Sequence, residues 1–181
     1  MREKWDQIVW KRACDIPTLN KDGKLAIFYE GIEPNDVLQG DLGSCWFLTA
    51  ISSLAEWPKR IRALFANGHD EPNEVGIYGV KIYKNGETTD IIVDDWLPTL
   101  NNRPVFSHAN GHELWVLILE KVWAKLHGSY HAIESGLTHT ALRDLTGAPA
   151  FITNIKDLKP IDLWKQIHQA DKNHWVMAIS P

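Results

Sequence analysis

Gln39 lies six residues before Cys45 in the run Gln39-Gly40-Asp41-Leu42-Gly43-Ser44-Cys45-Trp46-Phe47-Leu48. A thiolate is a strong nucleophile, and a thiol that opens a helix sits where the macrodipole favours the anion. The apolar run beyond Cys45 predicts such a helix, from Cys45 to about Glu56. A carboxamide upstream can donate to a carbonyl oxygen that gains negative charge under attack. Gly43 leaves room for a substrate backbone to approach. Together these residues could transfer an acyl group to Cys45, the first half of peptide-bond hydrolysis.

A single cysteine is more often a small buried apolar residue than a nucleophile. That reading applies to Cys14, where no neighbour argues for chemistry. At Cys45 the joint presence of Gln39, Gly43 and Trp46 reverses it, and Trp46 should help fix the start of the helix. Two cysteines supply neither a disulfide framework nor zinc-type spacing. His174 is the only tempting local base, although a lone histidine near a strand start is usually structural or solvated. His108, His112, His127 and His131 flank a predicted helix. No thiolate or carboxylate cluster supports zinc there, so they read as loop and surface residues.

The elements that must position these groups read as a mixed α+β chain. Asn20-Lys21-Asp22-Gly23 reads as a turn, and Lys59 to Ala66 as a further helix after Pro58. Asn67-Gly68-His69-Asp70 reads as a loop. Gly76 to Tyr83 alternates as a strand, Asn85-Gly86 supplies a hairpin turn, and Thr88 to Val93 returns. Glu113 to about Leu126 is the strongest amphipathic helix, with Leu114, Leu117, Val122 and Trp123 among its apolar positions. Gly128 follows as a stop. Thr138 to Asp144 and Ile161 to about Ala170 are shorter helices, and His174 to Ile179 reads as a strand.

The chain has 181 residues, 44% hydrophobic and 23% charged, which suits one globular domain with a sizeable core. A net charge of −4 gives no basic surface for nucleic acid. No apolar run is long enough to span a membrane, and no apolar h-region follows the first residues. Two unpaired cysteines suit a reducing compartment, so the cytosol is expected. The nine tryptophans read mostly as large apolar anchors.

The nucleophile segment resembles that of the calpains, the calcium-dependent papain-like cysteine proteases, whose signature runs Q-G-x-L-G-D-C-W-x-L-x-A. Ser44 stands where the family usually has aspartate. The resemblance extends through Gly31-Ile32-Glu33-Pro34-Asn35-Asp36, Val93-Asp94-Asp95-Trp96-Leu97-Pro98, Glu113-Leu114-Trp115 with Leu119-Glu120-Lys121, Gly128-Ser129-Tyr130 and Leu145-Thr146-Gly147. It covers the chain from about Gly31 to near its end.

The resemblance implies a papain-like fold, of which this chain would supply the helical, nucleophile-bearing lobe with a small antiparallel sheet. Residues 1 to about 160 would form that lobe, and about 161–181 the crossover into a second. The family's catalytic histidine and asparagine belong to the second lobe, and neither of their motifs occurs here. The resemblance further implies calcium bound by the backbone carbonyls of Tyr29 and Gly31 and by the side chains of Asp36 and Glu113. The implied substrate is a protein or peptide. Pro34 stands where many calpains have an arginine that couples the lobes. The alternative is a non-catalytic calpain-like module that binds calcium or a partner.

Overall fold

The computed structural model describes residues 5–179 apart from Asn67 and His69. The expected Asn67–Asp70 loop therefore lies partly outside the described residues, as do Ser180 and Pro181. Strand β1 (Val9–Arg12) is followed by short 3-10 turns and by β2 (Val37–Leu38). Helices α1 (Cys45–Ala55) and α2 (Pro58–Arg62) come next. The strands β3 (Ile77–Lys84), β4 (Glu87–Asp94), β5 (Trp96–Leu100), β6 (Arg103–Pro104) and β7 (His108–Ala109) then lead into α3 (Trp115–His127). Helices α4 (Thr138–Thr146) and α5 (Pro160–Lys172) follow.

The strands form three small antiparallel sheets among the described residues: β1-β5-β6, β2-β7 and the β3-β4 hairpin. The hairpin closes on Asn85 and Gly86, both at positive φ, as a two-residue turn matched to strand twist requires.

Helix α3 is the centre of the lobe. Its residues Trp115 to Glu120 are all buried, as are Val122, Trp123 and Ala124. The sequence predicts one apolar face, but neighbours cover this helix on nearly every side, with Lys121 and Lys125 at its wetter edge. Phe47 of α1 stacks on Trp123 of α3, ring centroids 4.8 Å apart. Burying side chains of this size contributes about 1.5–3 kcal/mol each, so this contact helps hold α1 on α3.

Four expectations need correction. The helix expected from Glu113 begins at Trp115, because Glu113 is held in a parallel bridge to Ala26 before the helix starts. Trp175 to Ile179 forms no strand, since no neighbouring strand among the described residues offers it a ladder. Cys14 is exposed, not buried: its 3-10 turn directs Ala13 inward and leaves the thiol outside. Trp115 and Trp123 are apolar anchors, whereas Trp10, Trp96, Trp164 and Trp175 remain exposed.

Candidate active site

Cys45 is the first residue of α1 and is exposed. The next side chains turn inward: Phe47, Leu48, Ala50 and Ile51 are buried, which fixes the helix while its opening residue faces out. Trp46 donates from Nε1 to the Ile133 carbonyl at 3.0 Å and packs edge-on against Trp123. It thus pins the helix start to the segment after α3, as its place beside the cysteine predicts.

Gln39 is exposed, and its amide Nε2 donates to the Leu42 carbonyl at 3.1 Å. A carboxamide carries two N–H donors, so one bond to the loop orients the group and leaves a second N–H for an incoming oxygen. The loop between Gln39 and Cys45 is clamped by its glycines. A Cβ on Gly40 would lie 1.6 Å from the Phe106 carbonyl oxygen, and one on Gly43 would lie 2.5 Å from that of Glu134. Gly43 therefore makes room for the chain's own backbone at Glu134.

Ser44 is 1% exposed and donates from Oγ to Glu120 Oε1 at 2.7 Å. The other carboxylate oxygen of Glu120 accepts the Ser107 N–H at 2.9 Å. Burial raises the Glu120 carboxyl above its ordinary range, and the bonds from Ser107 and Ser44 oppose that shift. Sequence reading missed the part Glu120 plays here. A signal was available: Glu120 lies in phase with Leu117 and Trp123, on a stripe that packs inward.

The other candidate residues meet around the entry to α3. A 3-10 turn over Pro34–Asp36, opened by Pro34 and closed by a capping box with Glu33, presents Asp36. Asp36 Oδ2 accepts the Glu33 N–H at 2.7 Å. The Asp36 and Glu113 carboxyls share a hydrogen bond, and the Tyr29 backbone also bonds to Glu113. Trp115 Nε1 donates to Glu113 Oε2 at 2.6 Å. Burial first, then the Asp36 charge, push the Glu113 carboxyl up from 4.5 to about 8. Burial also raises Asp36. Tyr29, Asp36 and Glu113 are thus brought together, and Gly31 follows Tyr29 by two residues in an exposed position with φ of 129°.

The contacts of the described histidines are with residues other than Cys45. His174 lies just past α5 at positive φ, and its carbonyl accepts from Arg60 of α2 at 3.2 Å. That helix follows the far end of α1, about 16 Å along the axis from its first residue. His112 Nδ1 lies 3.2 Å from the Leu19 carbonyl, and His127 Nδ1 lies 2.9 Å from that of Trp123. His131 is exposed, and its Nδ1 lies 3.3 Å from Glu134 Oε1. His108, expected in a loop, lies in β7 with its Nδ1 buried. Among the described residues no three His, Cys, Asp or Glu side chains group as metal ligands.

The sequence matches the model of the calpain family cysteine proteases over residues 1–181. The chain belongs to the calpain family. It is 38% identical over 167 residues to the calpain-type cysteine protease ADL1 of Oryza sativa subsp. japonica, and equally to the calpain-type cysteine protease DEK1 of Arabidopsis thaliana. Those alignments cover 87% of this chain and 8% of each plant protein. Calpain-5 of Mus musculus is 38% identical over 165 residues, covering 85% of this chain and 23% of the relative. The chain therefore spans under a quarter of the length of these calpains.

The mixed helices and small antiparallel sheets agree with a lobe of the papain-like calpain core. Where the usual calpain signature has an aspartate, Ser44 places a hydroxyl donor against a buried carboxyl. Where many calpains have an arginine, Pro34 opens the turn that carries Asp36, and its carbonyl accepts from Ser52 Oγ at 3.1 Å. No helix among the described residues is long and apolar enough to cross a membrane.

Proposed function

We propose that this chain is the nucleophile-bearing lobe of a calcium-dependent cysteine endopeptidase. The observation that carries the reading is the exposed Cys45 at the first position of α1, with Gln39 anchored upstream on the Leu42 carbonyl. In this reading the Cys45 sulfur attacks a substrate carbonyl carbon, and the oxygen takes the negative charge. The free N–H of Gln39 stabilises that charge. A histidine from a second lobe takes the thiol proton and returns it to the leaving amine, and an asparagine orients that histidine. Acyl transfer to water then frees Cys45.

The second lobe would close over the last residues of the chain. Phe151, Ile161, Trp164 and Trp175 are large apolar side chains left exposed there, a surface suited to burial against another body.

The residues around α3's entry fit calcium. Two carboxyls held together at the cost of a proton supply the hard oxygens that calcium favours. Asp36 and Glu113 would bind through their side chains, and Tyr29 and Gly31 through their carbonyls. The cation would supply positive charge that lets both carboxyls ionise together and would tie the Tyr29–Asp36 segment to α3.

The test is turnover. The lobe joined to its partner should cleave an unfolded protein substrate with calcium present, and Cys45→Ala should remove that activity. The 181-residue chain alone should show little or none. Cleavage that survives Cys45→Ala, or full turnover by the isolated chain, would overturn the reading.

A further inference from the structure

Glu120 is 2% exposed at the centre of the lobe. Its two oxygens reach two different segments. Oε1 accepts from Ser44, the residue immediately before the cysteine, at 2.7 Å. Oε2 accepts from the Ser107 N–H at 2.9 Å. Ser107 belongs to the stretch that carries Gln39 along its other side. In the β2-β7 pair Leu38 lies opposite His108, so the next pair in register is Gln39 with Ser107. The same stretch stays bonded onward: Asp41 N–H donates to the Val105 carbonyl at 2.9 Å, and Gly40 lies flat against Phe106.

We infer that Glu120 is the positioning residue of the site, fixing the spacing between Cys45 and Gln39 by holding Ser44 with one carboxylate oxygen and Ser107 with the other. It touches no substrate and acts through its two partners. Ser44 is the N-cap residue of α1, yet its side chain makes no bond to that helix's own N–H groups. Its hydroxyl serves Glu120 instead, so the helix start is located from α3. An N-cap bond would order the helix alone. A bond to α3 also sets where the helix start sits relative to the Gln39 strand. A buried carboxyl with both oxygens bonded in this way is costly to move, so it holds its partners to one geometry. The inference rests on Cys45 being the nucleophile.

The test follows alkylation of Cys45 by iodoacetamide in the 181-residue chain, resolved by peptide mass spectrometry, with the exposed Cys14 as internal reference. Ser44→Ala and Glu120→Ala should each change the Cys45-to-Cys14 rate ratio about tenfold. Glu120→Gln should restore it to within about twofold. Its amide oxygen can accept from Ser107, and its N–H can donate to the Ser44 oxygen. Melting temperature is measured on every variant. Ser44→Ala removes one oxygen and carries the test if Glu120→Ala fails to fold. A lowered melting temperature with an unchanged rate ratio in Ser44→Ala would show a merely structural role and overturn the inference. Failure of the nucleophile assignment reads differently, as proteolysis by the two-lobed protein that survives Cys45→Ala.

Discussion

The carboxyls of Asp36 and Glu113 meet at the entry to α3, joining two segments that are distant in sequence. Burial and the neighbouring charge lift Glu113 to about 8, so near neutrality the pair holds a proton that a cation would displace. This relationship sets a sign for pH dependence. The folded-state value lies above the ordinary 4.5, so the folded chain binds more protons than the unfolded chain between about 4.5 and about 8. Stability from this group is complete below that window and declines as pH rises through it. Glu120 is raised by burial and acts in the same direction.

The calcium-free chain should accordingly lose several degrees of melting temperature between pH 5 and pH 8. Calcium should raise the melting temperature more at pH 8 than at pH 5, since binding must displace the Glu113 proton. Glu113→Gln should flatten part of the pH slope and remove the calcium response. Thermal scans at the two pH values, with and without calcium, decide this. An unchanged calcium response in Glu113→Gln would remove Glu113 from the ligand set.

Gln39→Ala in the two-lobed enzyme should lower kcat by about 10²–10³ while leaving KM within a few-fold. In the proposed mechanism the amide would donate to the charge that develops during attack and contribute little to binding the ground state. Steady-state kinetics with one peptide substrate separates the two parameters. A rise in KM at constant kcat would mark Gln39 as a substrate-binding residue.

Gly40→Ala should destabilise the chain by about 3 kcal/mol or more. Its new Cβ would lie 1.6 Å from the Phe106 carbonyl oxygen, a backbone atom that no rotamer change can move away. Gly43→Ala meets the Glu134 carbonyl at 2.5 Å and should cost less, because the clash is shallower. Urea unfolding of the two variants gives the order, and a Gly40→Ala protein as stable as the wild type would refute the packing argument.

Trp46→Phe should cost about 1 kcal/mol through loss of the bond to the Ile133 carbonyl, with the ring contact to Trp123 largely kept. Trp46→Ala should cost about 3–5 kcal/mol and loosen the start of α1. Hydrogen exchange at the first amides of α1 should rise in the alanine variant and little in the phenylalanine variant.

Much of this lobe was legible in one dimension because the relevant signals are local. Apolar periodicity placed α1 and the body of α3, and Asn85-Gly86 placed the hairpin, since both depend on neighbours a few residues away. The order of Gln39, Gly43, Cys45 and Trp46 marked the candidate nucleophile for the same reason. Glu113 escaped the local reading. Its helical phase looked continuous with α3, but a bridge to Ala26 holds it outside the helix. The strand expected at His174 to Ile179 failed because a strand exists only through its ladder partner, and none stands beside it among the described residues.

The sequence by itself determined which residues carry reactive groups and which short stretches coil or pleat. Tertiary structure decided what those groups face. It turned Gly43 toward Glu134, left Cys14 in solvent, joined Asp36 to Glu113, and set Glu120 between Ser44 and Ser107. The physical reason is that burial and charge proximity are properties of the packed chain. A carboxyl's ionisation and a hydroxyl's partner depend on segments that only folding brings within about 3 Å.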